Sequence, residues 1–171
     1  MVAAIQADRT PNLLVMQYSP IWQIKNLLLI PRFFLSETAI EKRKPLAPTA
    51  VRKGWVGCNI LLSRISAEGK IVIVTNGIEA PPTEVRRKYQ HASQIQSLRV
   101  TERGWALDVL ASVRSLGVPE FSLSDAYSFE AQLSVLHPAN RNVRAKIRQQ
   151  LQVLRDRGFL TFTRRGCYQF V

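Results

Sequence analysis

The chain has 171 residues, 46% of them hydrophobic, and a formal net charge of +12. This composition excludes wholesale disorder and favours an anionic polymer, most simply nucleic acid, as the partner; a ribosomal-style or merely soluble basic protein is the alternative. No apolar run approaches the roughly 18 residues of a membrane span, and the N-terminus lacks the features of a signal peptide, which predicts a cytoplasmic protein with no membrane partner.

Four short apolar runs in the first half predict β-strands. They are bounded by Pro, Gly, Ser or Asn and cover residues 12–18, 26–30, 58–62 and 70–75. Their near-continuous hydrophobicity predicts a sheet that is covered on both faces. We therefore expect Cys58 to be a buried strand residue rather than a nucleophile.

A basic segment punctuated by proline, residues 40–55, separates the second run from the third and is too polar for a core element. Five of its cations are predicted to contact DNA: Lys42, Arg43, Lys44, Arg52 and Lys53. Residues 81–98 then predict a helix with Thr83 as its N-cap. This helix ends a first predicted unit, residues 1–98, which is followed by a second, residues 99–171.

The second unit begins with two predicted helices and a short strand between them. Apolar residues at helical spacing predict a helix from residue 103, which Gly117 and Pro119 break before the extended FSL. The stretch SDAYSFEAQLSVLHP then predicts a single helix, with an N-cap at Ser124 and an end at Pro138.

The last stretch, residues 140–171, carries eight Arg or Lys and one acid, and it also has a regular apolar stripe. A third helix, stopped at Gly158, is predicted by the residues of that stripe: Val143, Ile147, Leu151 and Leu154. Apolar and polar residues alternate in FLTFT and in CYQFV, and the RRG between them supplies a Gly-containing turn. This pattern predicts a hairpin. Helix, short strand, helix, helix and hairpin is the order of a winged helix-turn-helix domain.

The side of the third helix opposite the stripe carries side chains that can bond base edges or phosphates. The residues of this stretch predicted to contact DNA are Arg141, Asn142, Arg144, Lys146, Arg148, Gln149 and Gln152. Arg164 and Arg165, at the hairpin tip, are placed to reach a phosphate backbone. A merely solvated helix face is the alternative, because Arg and Gln are also good surface helix formers.

Long stretches of the chain resemble the DpnI-type, methyl-directed restriction endonucleases, also called Dam-replacing proteins. The stretches similar to the C-terminal winged-helix domain of that family are RGWALDVL (103–110), DAYSFEAQLSVLHPAN (125–140), KIRQQLQVLRDRGFL (146–160) and RGCYQF (165–170). The stretches similar to the later part of its nuclease domain are PNLLVMQYSPIWQIKNLLLIPRFF (11–34), IEKRKPLAPTAVRKGWVGCNILL (40–62) and GKIVIVTNG (69–77). Val51 departs from the family pattern, which has a second arginine beside Arg52.

The resemblance implies an α/β (α+β) fold, in which a partial PD-(D/E)xK nuclease-like sheet is followed by a C-terminal winged helix-turn-helix domain. It implies binding and cleavage of double-stranded DNA at GATC sites that carry N6-methyladenine. The intact enzymes hold Mg²⁺ in the acidic motif and a structural Zn²⁺ on cysteines, and both features precede PNLLVMQY in the family. We therefore expect a fragment that holds no cofactor, lacks the catalytic residues and leaves an uncovered sheet edge with exposed apolar surface.

Substitutes for the missing metal ligands are weak in this sequence. Glu68 and Lys70 match the E-x-K spelling, but a surface turn before a strand is the better interpretation, and the nearest upstream Asp is Asp8, 60 residues away. His91 and His137 have no Cys, Asp or Glu partner at metal-ligand spacing. With two cysteines, the chain has too few for a four-ligand zinc site or a disulfide framework.

Two points stay open at this level. Trp55 and Trp105 are candidates for an apolar wall against the N6-methyl group, and for each the alternative is an ordinary core position. The alternative function is a free-standing winged-helix transcriptional regulator with an unrelated basic N-terminal unit.

Overall fold

The computed structural model describes all 171 residues, and in it the first half forms two helices and six strands. Their bounds are α1 Val2–Gln6, β1 Leu13–Tyr18, β2 Ile24–Ile30, β3 Ile40–Lys42, β4 Cys58–Ile60, β5 Ile71–Thr75, β6 Ile78–Glu79 and α2 Pro82–Ser93. The four predicted strands are confirmed as β1, β2, β4 and β5. The helix α2 starts earlier than predicted, with Pro81 rather than Thr83 at its N-cap, because the fixed φ of Pro82 suits the first helical position.

Four of these strands form an antiparallel sheet in the order β1-β2-β5-β6. The expectation that both faces are covered is wrong. On the edge strand β1, Leu13 and Val15 pack against the core, while Leu14, Met16 and Tyr18 are exposed. Strand side chains alternate between the two faces, and only one face of this sheet meets the core. The expected uncovered edge and exposed apolar surface are therefore present.

The strands β3 and β4 form a separate two-stranded ribbon, in which Ile40 lies opposite Ile60 and Lys42 opposite Cys58. The prediction that Cys58 is buried is wrong, since its side chain is exposed. The ribbon pairs with no other strand, so most of its side chains meet solvent.

The second half has the predicted order of helix, strand, helices and hairpin. Its elements are α3 Val100–Arg114, β7 Glu120–Ser122, α4 Leu123–Tyr127, α5 Glu130–Leu136, α6 Val143–Asp156, β8 Leu160–Arg164 and β9 Cys167–Phe170. The three strands form an antiparallel sheet in the order β7-β9-β8. The fold is mixed α+β, as predicted. None of its helices combines the length and the apolar character that crossing a bilayer requires.

The single helix predicted from Ser124 is wrong, because the segment forms α4 and α5 with a break between them. Ser122 and Asp125 form a capping box: the Ser122 side chain accepts from the Asp125 N–H at 3.1 Å, and the Asp125 carboxylate accepts from the Ser122 N–H at 2.8 Å. These bonds start α4 ahead of the predicted N-cap. The Ser122 N–H and the Ser122 hydroxyl both donate to the Asp125 carboxylate, which holds the pKa of Asp125 below its ordinary value. At the break, Ser128 Oγ donates to the Asp125 carbonyl at 2.6 Å, a local bond that competes with helix continuation.

One core runs through both halves of the chain because α3 is packed between them. Nine of the 15 residues of α3 are buried, among them the charged Arg103 and Asp108. Phe34 from the first half meets Phe159 from the second, with ring centres 6.4 Å apart. The division into domains 1–98 and 99–171 stays a prediction; in the structure the two segments share this core.

The apolar stripe of α6 is buried as predicted, and it includes one polar residue that the sequence does not single out. Gln150 is fully buried, and neither its Nε2 nor its Oε1 has a hydrogen-bond partner. A buried amide without partners lowers stability, because it loses its bonds to water on folding.

Replacing Gln150 by leucine should therefore raise the free energy of unfolding by about 1–3 kcal/mol, the usual penalty of an unsatisfied buried group. Urea denaturation measures this difference. Gln152→Leu, on the exposed side of the same helix, is the matched control and should change stability by less than about 0.5 kcal/mol. A loss of stability in the Gln150 variant would mean that the amide is bonded in the folded protein.

Candidate nucleic-acid interface

The helix α6 turns a polar side to solvent because its apolar side is fixed in the core. The predicted site residues exposed at and along it are Arg141, Asn142, Arg144, Arg148, Gln149 and Gln152. Its first turn contains no acidic residue and Asn142 makes no side-chain cap bond. The partial positive charge of this helix end is thus left available for an anion.

Three of the predicted site residues on α6, two cations and Gln149, are already engaged within the protein. Arg144 Nε donates to Glu130 Oε2 of α5 at 2.6 Å. Lys146 is half-buried; its Nζ donates to Gln149 Oε1 at 2.9 Å and lies 6.0 Å from the centre of the Trp105 ring. These two cations fix neighbouring side chains before any ligand is present.

Arg164 and Arg165 lie at the tip of the hairpin formed by β8 and β9, and both are exposed. Arg164 Nε donates to Cys167 Sγ at 3.3 Å and lies 4.0 Å from Glu120 Oε1. The bond to Cys167 and the attraction of Cys167 and Glu120 raise the pKa of the Arg164 guanidinium above its ordinary value. A guanidinium is protonated at physiological pH even without this shift, so Arg164 presents a positive charge at the hairpin tip.

The remaining predicted cations lie in an exposed extension of the β3–β4 ribbon, residues 41–57, which we call the basic arm. The Arg43 N–H donates to the Gly57 carbonyl at 3.0 Å, and the Leu46 N–H to the Trp55 carbonyl at 3.0 Å, so the two sides of the arm stay paired beyond the strands. Its exposed cations are Lys42, Arg43, Lys44, Arg52 and Lys53. The folded arm brings together charges that come from both sides of a proline-containing loop.

The two candidate tryptophans have opposite environments. Trp55, in the basic arm, is 54% exposed, so a core position is excluded for it. Its ring packs on the backbone of Gly57, where a Cβ atom would approach it to 2.9 Å. Trp105, in α3, is buried and stacks on His137 with ring centres 3.7 Å apart.

His137 has a carboxylate partner that sequence spacing did not reveal. Its Nε2 lies 2.8 Å from Oδ2 of Asp108, which precedes it by 29 residues. Asp108 lies in the middle of the apolar stretch WALDVLASV. An acid at such a place is the signal that could have marked it, because a carboxylate inside a core needs donors around it.

The E-x-K match is not an exposed turn. Glu68 lies in a short 3-10 turn, Ala67–Gly69, just before β5, as predicted, but its side chain is only 8% exposed. Its Oε1 is engaged by the Arg114 guanidinium of α3, and its Oε2 is buried without a hydrogen-bond partner. A carboxylate held by an arginine in this way does not fit a Mg²⁺ site.

The donors available for zinc do not fit a structural site either. Cys58 lies in β4 and Cys167 in β9, and Cys167 accepts the bond from Arg164. No group of three or more His, Cys, Asp or Glu lies together in a way that would hold a metal ion. His91 packs against Phe159, with ring centres 4.7 Å apart.

A helix with a free basic side, preceded by two short helices and followed by a hairpin with cations at its tip, defines a helix-turn-helix DNA-binding protein. Comparison with known families agrees. A sequence model described as the Dam-replacing family matches residues 1–98, and one described as the Dam-replacing HTH domain matches residues 101–170. The chain belongs to the Dam-replacing family, and the resemblance found in its sequence is confirmed.

Substitutions on the exposed side of α6 and at the hairpin tip should change DNA binding in different ways. Arg148→Ala or Gln149→Ala should relax sequence preference, because one good bidentate base contact is worth about 1–3 kcal/mol of discrimination. Arg164→Ala should weaken binding to all duplexes alike and flatten the salt dependence. Titration of the variants with matched and mismatched duplexes measures both, and the reverse ranking would contradict these roles.

Proposed function

We propose that the protein binds duplex DNA at GATC sites that carry N6-methyladenine, and that Trp55 contacts the methyl group. The observation that carries the proposal is that Trp55 is exposed on the same arm as five exposed cations. Tryptophan is enriched among the residues that dominate binding energy, and exposed cations attract the phosphate backbone. An N6-methyl group adds apolar surface to the major groove and leaves one N–H for a hydrogen bond.

In this proposal the basic arm and the helix α6 contact different parts of the DNA. Phosphate contacts fix the register of a protein on the duplex, and contacts to base edges supply the sequence information. The arm carries five exposed cations and one exposed aromatic ring. The helix α6 carries Arg148, Gln149 and Gln152, side chains that can pair with guanine or adenine edges. Arg164 and Arg165 would hold the neighbouring backbone.

The family match favours this function over a free-standing regulator. A regulator with an unrelated basic N-terminal unit would have no reason to match the Dam-replacing family over residues 1–98. The basic arm belongs to that matched segment, as do the β3–β4 ribbon from which it extends and the four-stranded sheet.

We further propose that this chain binds its site without cutting it. Hydrolysis of a phosphodiester by a metal-dependent nuclease needs carboxylates that converge on the metal ion, which then activates water. Glu68, the acid of the E-x-K match, is bonded to Arg114 instead. Two other acids of the first half are also engaged by cations: Glu84 is paired with Lys88 at 2.7 Å, and Asp8 with Arg103 at 2.6 Å.

Methylation should strengthen binding through Trp55. Burying one methyl group is worth about 0.8 kcal/mol, which corresponds to about a fourfold gain in affinity for each methyl contacted. Titration with GATC duplexes that differ only in the methyl group measures the ratio, and Trp55→Ala should bring it close to one.

The matched control for this experiment is Trp22→Ala. Trp22 is 84% exposed, but it lies in the turn between β1 and β2, outside the basic arm. This control should keep the wild-type preference. Equal affinity of the wild-type protein for both duplexes at several salt concentrations would contradict methyl recognition.

Purified protein should shift methylated GATC plasmid in a gel and leave it uncut in Mg²⁺ or Mn²⁺. The reason is that its only E-x-K carboxylate is committed to a guanidinium. Plasmid nicking over several hours at equimolar protein is a sensitive readout. Site-specific cuts that disappear in Glu68→Ala would show that this carboxylate is catalytic, contrary to the proposal.

A further inference from the structure

Asp108 occupies a position that direct DNA contact does not explain. Its side chain is only 2% exposed, in the middle of α3 between the two halves of the chain. Thr38 Oγ1 donates to its Oδ1 at 2.6 Å, and His137 Nε2 lies 2.8 Å from its Oδ2. A carboxylate only accepts hydrogen bonds, so both partners donate to it. One buried group therefore joins an element of the first half to an element of the second.

The Thr38 side of this network leads directly to the basic arm. Thr38 lies in the 3-10 turn Glu37–Ala39, and β3 begins at the next residue. The Leu61 N–H donates to the Ala39 carbonyl at 2.8 Å, which ties the returning strand of the arm to the same turn. The Thr38 hydroxyl uses its one O–H to donate to Asp108, so it can only accept from Ser36. Ser36 Oγ, which lies 2.8 Å from Thr38 Oγ1, is therefore the donor of that bond.

The His137 side leads to α6. His137 is the C-cap of α5, and the turn that follows it enters α6. Its ring stacks on Trp105 at an interplanar angle of 15°. Lys146 of α6 lies over the same indole, so the stack reaches the exposed helix. The base of the arm and the start of α6 are thus held by two bonds to one carboxylate.

We propose that Asp108, with Thr38 and His137, is a positioning group that fixes the basic arm relative to α6, so that both engage one duplex. This role rests on the proposed function, in which both elements contact DNA. Apolar packing between the halves is not directional, whereas hydrogen bonds to a buried carboxylate fix distance and angle. Two linked elements bind with a large gain in affinity only when their geometry allows both contacts at once.

Thr38→Val tests this role, since it removes the hydroxyl at nearly constant shape. Affinity for a methylated GATC duplex should fall about tenfold to a hundredfold, a part of the gain that linked contacts supply. The salt dependence should become shallower, because contacts from the arm to phosphates are lost. Thr38→Ser, which keeps the donor, should retain wild-type affinity.

Measuring the effect of Thr38→Val in a second, arm-weakened variant distinguishes a positioning role from a general loss of stability. In a protein that already carries Arg52→Ala and Lys53→Ala, the arm contributes less, so adding Thr38→Val should cause a much smaller further loss. Ser112→Ala is the matched control: it removes a buried hydroxyl in α3, one that donates to the main-chain carbonyl of Asp108 at 2.8 Å. It should lower the melting temperature without changing affinity per folded molecule.

Thermal melts and stoichiometric titration define the folded, active fraction of each variant. Unchanged affinity of Thr38→Val, or an equal loss in both backgrounds, would overturn the positioning role while leaving DNA binding in place. A wild-type chain with no affinity for the duplex would overturn the proposed function and this role with it.

Discussion

The burial of α3 is the constraint on which the rest of the structure depends. A helix that packs on several sides is expected to be apolar, yet α3 carries buried charged residues whose partners include side chains of the first half of the chain. Arg103, almost fully buried, donates to Asp8 Oδ1 at 2.6 Å, and Asp108 accepts from Thr38. Removing one partner of a buried charge pair costs far more than the pair contributes. The two halves therefore have one favourable alignment.

This alignment decides what the protein exposes. One face of the four-stranded sheet packs into the core that also contains α3, the basic arm extends from the separate β3–β4 ribbon, and α6 packs against α3. The opposite face of the sheet stays uncovered, with the apolar side chains of β1 in water. Exposed edge strands of this kind favour self-association, so we expect the same packing that presents the basic elements to lower solubility.

The parts of the fold that sequence could predict are those with local causes. The buried stripe of α6 follows from a clear 3.6-residue period, and the hairpin from alternation around Gly166. The environments of Cys58, Glu68 and Asp108 could not be predicted from the sequence. Glu68 and Asp108 have partners that are distant in the chain, and Cys58 is exposed because no other element covers its ribbon. The break between α4 and α5 has a local cause, the hydrogen bonds of Ser122 and Ser128, yet it was not predicted. Apolar residues continue at helical spacing across the break, and this spacing favoured a single helix.

In the proposed complex, one duplex contacts the basic arm and the helix-turn-helix domain at the same time. The only two cysteines offer a direct measurement, since Cys58 lies at the base of the arm and Cys167 lies beside the hairpin tip. Alkylation of each thiol can be followed by mass spectrometry while a methylated GATC duplex is titrated in. Both thiols should be protected with the same midpoint at one duplex per protein. Protection of only one thiol, or two separate midpoints, would contradict it.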